Sequence, residues 1–189
     1  VLVEGQYSGN HTLAAEQAYT GNVGVTFKPE LAEKHGDFHL SFDWFSIRVE
    51  GVIQGQIFNE VLSQCYNSTN LEHIYCGINP ANGRPFFIRD PESREIKNVN
   101  VSNWNDGTYN VKGFDAELVY SQSLENLGLP AGWGSFRFRL LYSYNLKSEL
   151  SAVFSGAQEF RGNISQPYNR LLMNLTYENG PWNFNWVSS

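Results

Sequence analysis

Hydrophobic and polar positions alternate with a period of two along six stretches of the chain, and residues 134–146 show the pattern most plainly. One set of alternate positions holds Phe136, Phe138, Leu140, Tyr142, Tyr144 and Leu146, and the other holds Ser135, Arg137, Arg139, Leu141, Ser143 and Asn145. Successive side chains of a strand point to opposite faces, so the stretch predicts a β-strand between an apolar medium and a wet, charged one. At about 3.3 Å per residue it reaches roughly 40 Å, and a tilt near 45° projects about 30 Å of that, the thickness of a bilayer's hydrocarbon core.

The same design recurs. Residues 18–28 set Tyr19, Val23, Val25 and Phe27 against Thr20, Asn22, Gly24 and Thr26. In 37–52, Phe38, Leu40, Phe42 and Trp44 alternate with His39, Ser41 and Asp43, until Phe45, Ile47 and Val49 reverse the phase; a bulge, or the strand's exit from the apolar zone, accounts for the switch. Residues 110–122 oppose Phe114, Ala116, Leu118 and Tyr120 to Asp115, Glu117 and Val119. Residues 168–178 oppose Leu171, Met173, Leu175 and Tyr177 to Leu172, Asn174 and Thr176, and from residue 182 Trp182, Phe184 and Trp186 alternate with Asn183 and Asn185. Asn82-Gly83, Asp106-Gly107 and Asn179-Gly180 are turn signals, and residues 1–16 read as loop. Ile57, Val61 and Leu62 recur at helical spacing and predict a short helix within 54–64.

The connections between these six strands run short, very long, medium, long and tight. A soluble sandwich has no reason to gather its long connections at one end, whereas an outer-membrane barrel has short turns on one side and long loops on the other. The expected fold is therefore all-β, an antiparallel transmembrane β-barrel segment of about six strands, spanning 1–189 with long extracellular loops near 53–109 and 147–167. On this reading Phe136, Phe138, Leu140, Tyr142, Leu171, Met173 and Leu175 face lipid, and Asp43, Asp115, Glu117, Arg137 and Arg139 face the lumen. Turning Arg137 to the lipid side would cost about 2–4 kcal/mol near the midplane. The plainer role for the polar set is structural, with Asp115 and Glu117 pairing with Arg137 and Arg139 across adjacent strands.

Composition narrows the chemistry. Aromatic residues make up 15% of the chain against 17% charged, which suits strands with interfacial aromatics, and the net charge of −6 carries no basic cluster, so nucleic acid is not an expected partner. His11, His35, His39 and His73 are scattered without ligand spacing, and no nucleophile, phosphate loop or carboxylate pair stands out, so no catalytic residue, metal or cofactor is expected. Cys65 and Cys76 enclose a polar decapeptide and read as a disulfide, stabilising the loop by about 3 kcal/mol in the chain-entropy model. N-x-[ST] sequons at Asn10, Asn67, Asn100, Asn163 and Asn174 raise a secreted glycoprotein, but Asn174 falls inside a strand. The chain begins at Val1 and stops within an alternating stretch, so it reads as part of something larger.

Several segments resemble, in order, the carboxy-terminal half of a TonB-dependent outer-membrane receptor barrel. They are GNHTLAAEQA with Gly9, Asn10, Leu13, Glu16 and Ala18; the run Phe42, Asp43, Trp44, Phe45, Ser46, Ile47; the cysteine pair; GFDAELVY at 113–120; and NGPW at 179–182. The resemblance implies about strands fourteen to nineteen of a barrel of about 22 strands. It also implies partners outside this sequence: the remaining strands, an amino-terminal plug, and through the plug the TonB energy-transducing complex, all in outer-membrane lipid. The implied role is energised uptake of a scarce ligand, such as a metal chelate, cobalamin or an oligosaccharide, and not catalysis. The contrasting expectation is a secreted all-β sandwich, either a binding domain or a carbohydrate-active enzyme. There Phe136, Phe138, Leu140 and Tyr142 would pack between two sheets.

Overall fold

The structure is a computed structural model that describes residues 3–152 and 156–189, the side chain of Glu33 excepted. In chain order its strands are β1 (Glu4–Ser8), β2 (Gln17–Phe27), β3 (Asp37–Glu50), β4 (Ile53–Gly55), β5 (Ile78–Asn79), β6 (Arg84–Pro85), β7 (Phe87–Arg89), β8 (Ile96–Asn105), β9 (Thr108–Ser123), β10 (Ser135–Ala152), β11 (Gly156–Glu159), β12 (Asn169–Asn179) and β13 (Trp182–Ser188). The one α-helix among the described residues, α1, spans Phe58–Tyr66. Packing divides the chain into two compact units. One holds the described residues up to Ala18 with those of Val49–Tyr109 and Leu150–Gln158; the other holds Tyr19–Arg48, Asn110–Glu149 and Glu159–Ser189.

The second unit is built on a sheet in which β2, β3, β9, β10, β12 and β13 lie side by side in sequence order. These six are the strands the alternation predicts. Each pairs with the next of the six along the chain, and β3 and β9 do so although β4 to β8 and α1 lie between them in sequence. The Gly180-Pro181 step closes the last hairpin, pairing Asn179 with Trp182. β3 passes through Trp44 and Phe45 as one strand. Phe45 shares the polar face because Gly113 of β9 makes room for it: a Cβ on Gly113 would stand 2.7 Å from Phe45 Cζ. The phase reversal is thus an aromatic seated on a glycine on the otherwise polar face.

The first unit departs from the expected loop. Residues 53–109 form a four-stranded sheet together with β1, in the order β1, β8, β4 with β7 also on β8. β1 runs parallel to β8, Glu4 opposite Asn98 and Ser8 opposite Ser102, so the segment read as loop opens with a strand. That pairing joins residues far apart in sequence and leaves no local periodic signal. α1 begins four residues later than the predicted span, because Gln54 and Gly55 belong to β4 and Ile57 caps the helix instead of entering it. Val61 and Cys65 of α1 pack with Tyr75, Phe86, Val99 and Val101 into a small core, fringed by Phe58, Leu62, Phe87 and Trp104. The second expected loop, 147–167, is partly strand: β10 continues to Ala152 and β11 pairs with it, while residues 153–155 lie outside the described residues.

Candidate functional site

On the sheet of the second unit, strand register separates two faces. Between β10 and β12, Phe136 lies opposite Tyr177, Phe138 opposite Leu175, Leu140 opposite Met173 and Tyr142 opposite Leu171. Between β12 and β13, Leu175 lies opposite Trp186 and Tyr177 opposite Phe184. Aromatic rings continue the surface onto β3 and β9, with Phe42 and Phe114 centroids 5.2 Å apart, Phe114 and Tyr144 5.3 Å, and Tyr120 and Phe136 5.7 Å. Such cross-strand pairs are the local unit of sheet stabilisation. Yet every buried apolar side chain among the described residues belongs to the first unit, and Phe42, Leu171, Leu175, Phe184 and Trp186 are exposed. Phe136, Phe138, Leu140 and Tyr142 are only half-buried. The buried core that a sandwich requires is therefore absent from this sheet among the described residues.

The opposite face is polar. Arg139 Nε donates to Glu117 Oε1 at 2.6 Å across β9 and β10. Arg137 takes no part in that pair. It borders a different hollow of about 510 Å³, with Asp37, Ser121, Ser135, Thr176 and Glu178. Asp43, Asp115 and Glu117 share a hollow of about 330 Å³ with Arg170. Leu141 and Leu172, directly opposite each other in the ladder, add an apolar patch to its lining. The five polar residues singled out from the sequence therefore fall into two groups. Asp43, Asp115, Glu117 and Arg139 cluster, and Arg137 stands apart. Sequence reasoning passed over Arg170, although it keeps phase with Leu172 and Asn174. Further along, Asn185 Nδ2 donates to Thr176 Oγ1 at 3.0 Å and to Asn174 Oδ1 at 3.3 Å, so amides hold this part of the face together.

The first unit is fastened by a different set. Cys65 and Cys76 form a disulfide, tying α1 to the turn Ile74–Cys76. One face of β8 buries Val99 and Val101; the other buries Asn100 and Ser102, both fully covered. Asn79 Nδ2 donates to Ser102 Oγ at 2.9 Å, and Ser8 Oγ donates to Asn100 Oδ1 at 2.7 Å, which satisfies groups that would otherwise be costly to bury. Full burial of Asn100 closes that sequon to a glycan. Residues of the GNHTLAAEQA segment act here as ties. Asn10 Nδ2 donates to the Asn103 carbonyl at 2.8 Å, and Glu16 Oε1 accepts from Ile53 N–H at 2.6 Å. Asn105 bonds both the N–H and the carbonyl of Ala14 and also the carbonyl of Gly51.

Electrostatics add little chemistry. Burial pushes the Tyr75 hydroxyl up to about 12, with Gln56 pulling the other way. Asp90 lies below the usual carboxylate range because the Ser93 N–H and then Lys97 favour its charged form. Arg161 holds Glu159 low through a 3.0 Å hydrogen bond, donates to the Leu146 carbonyl, and sits 5.7 Å over the Tyr168 ring. No group of three His, Cys, Asp or Glu side chains suited to a metal occurs among the described residues.

Residues 3–189 match the family model described as TonB dependent receptor-like, beta-barrel. No curated protein and no solved structure matches the chain.

Proposed function

The chain belongs to the TonB-dependent receptor-like β-barrel family of the bacterial outer membrane, and from that premise we propose that its six-stranded sheet is one arc of a transporter wall. The family works in TonB-dependent transport across the outer membrane. The observation that carries the proposal is the sheet itself: six strands in sequence order with one apolar and one polar face and, among the described residues, no buried apolar core. In water, such a surface would collapse onto another layer; in lipid it needs none.

In this reading Phe136, Phe138, Leu140, Tyr142, Leu171, Met173 and Leu175 meet acyl chains. Asp43, Asp115, Glu117, Arg137 and Arg139 meet the lumen, where a plug or passing ligand has access to them. The Asp43, Asp115 and Arg170 hollow suits a partner that is both charged and partly apolar. The first unit and the segment around 147–167 form the extracellular side, braced by the disulfide. The outer strands β2 and β13 continue into further barrel strands, since an open edge in lipid leaves backbone groups unpaired. The transported substance is a scarce ligand of the metal-chelate, cobalamin or oligosaccharide kind, taken up with energy from TonB.

The test uses the complete receptor in outer-membrane vesicles, with single spin labels at Phe138, Leu140, Arg137 and Arg139. Labels at Phe138 and Leu140 should be accessible to oxygen and shielded from a water-soluble nickel chelate, and labels at the two arginines the reverse. Equal accessibility on both faces would sink the wall assignment. Uptake of candidate ligands by cells with and without TonB tests the transport half. TonB-independent accumulation would overturn it.

A further inference from the structure

We propose that the first unit contains a built site for one ordered water molecule, held by Gln56 where β4, α1 and the β8–β9 turn converge. Gln56 is 6% exposed, and its two amide atoms have different fates. Oε1 accepts from Ser102 N–H at 3.1 Å, which fixes the orientation of the amide, because a flipped group would set two donors against each other. Nε2 is therefore the atom left over, and it is buried without a hydrogen-bond partner among the described residues. A buried amide donor left in that state is costly, so a partner for it is strongly favoured.

The surroundings supply one. Gln56 lines a cavity of about 20 Å³ together with Gln54, Glu60, Tyr75, Trp104 and Asp106. That volume is close to the roughly 10–15 Å³ needed to admit a single water, and too small for an organic ligand. The Tyr75 hydroxyl is the competing partner: the Gln56 amide favours its charged form as a nearby donor does, yet the two do not meet at hydrogen-bond distance and angle. The lining offers both kinds of group a water needs. Gln56 Nε2 donates to the water oxygen, and the carboxylates of Glu60 and Asp106 are acceptors for its protons. A metal cation fits poorly, because the unsatisfied atom is itself a donor and would point its hydrogens at the ion. A water here links Gln56 next to β4, Glu60 on α1, Tyr75 in the disulfide-bound turn and Asp106 before β9. The site thus adds Gln56 and Asp106 to α1 and the Tyr75 turn, which the apolar core already joins. It rests on the geometry of this unit and is independent of the transport reading.

The experiment is a structure of the complete receptor at a resolution that shows ordered water, for the native chain and for Gln56→Glu. The expected native result is one water about 2.7–3.2 Å from Nε2 and from at least one carboxylate. In Gln56→Glu, the Ser102 acceptor is kept but the inward donor is lost, and the water should leave or move away from position 56. An empty cavity, a direct bond from Nε2 to Tyr75, or ligand distances short enough for a metal would each overturn the site. So would an unmoved water in the variant. If Gln56→Glu does not fold, Gln56→Met removes the same donor without adding charge and is read in the same way.

Discussion

Glu117 and Arg139 are joined by a 2.6 Å hydrogen bond across β9 and β10, and the Arg139 side chain remains about half exposed. Glu117 is shared between this pair and the hollow that also holds Asp43 and Asp115. A solvent-reached pair of this kind is worth about 0.2–1 kcal/mol, so its removal tests role more than stability. In a double-mutant cycle with Glu117→Gln and Arg139→Gln, the coupling read from thermal unfolding in detergent should stay below about 1 kcal/mol. Uptake falling sharply in either single variant, with unfolding unchanged, would mean that the pair touches the plug or the ligand and is more than a strut.

The disulfide should matter more. Replacing Cys65 and Cys76 together by Ser removes a link across a sequence separation of 11 and should destabilise the first unit by about 3 kcal/mol. Protease sensitivity should rise between residues 58 and 90 and leave the strands of the second unit protected. An unchanged cleavage pattern would show that the core around Val61 and Phe86 suffices alone.

Asn105 is the most connected tie in the first unit, bonding Ala14 twice and Gly51 once. Asn105→Ala removes these bonds, of which those to Ala14 are solvent-reached, at a cost of about 0.5–1.5 kcal/mol. Hydrogen exchange should speed up at Ala14 and nearby in 9–18, while amides in β10 and β12 keep their rates. Uniform acceleration across both units would refute a local role.

Tyr75 gives a pH signature. Its hydroxyl titrates near 12 in the folded chain and near 10 when exposed, so the folded state holds its proton over the interval in which the unfolded state has released it. The first unit should therefore keep its full stability below pH 10 and lose part of it, on the order of 2 kcal/mol at most, as pH rises toward 12. Tyr75→Phe should remove this alkaline component. A variant with the same alkaline loss as the native chain would assign the effect to another tyrosine.

At low pH the sign reverses for Asp90, whose carboxyl is held below its ordinary range by the Ser93 N–H and by Lys97. Stability of the 90–97 turn should be present above the ordinary carboxylate range and fade as pH falls through the depressed value. Asp90→Asn should flatten that acid limb in a hydrogen-exchange series taken on the 90–97 amides; an identical limb would clear Asp90 of the role.

The second unit was far more legible in the sequence than the first. Alternation over 110–122 and 134–146 fixes which residues share a face, because side-chain direction in a strand depends on sequence parity alone. The same parity put Glu117 and Arg139 on one face, but it did not say that Arg139, and not Arg137, would reach Glu117. That choice depends on the stagger between β9 and β10. The first unit gives no comparable signal because its ordering contacts are distant in sequence: Glu4 with Asn98, Tyr75 with Val61, Asn105 with Ala14. Asn100 and Ser102 fall within the expected 53–109 loop. In the structure they are fully buried and satisfied by Asn79 and Ser8, a pairing that no periodic pattern announces.

By itself, then, the sequence determined six two-faced strands, their order, and which side of each is apolar, since these follow from a local rule repeated along the chain. Tertiary structure alone decided that 53–109 folds as a stapled unit with its own core, that Phe45 sits over Gly113, and that the polar residues divide between two hollows. These depend on which distant residues meet, and that is set by packing and hydrogen-bond satisfaction across the fold.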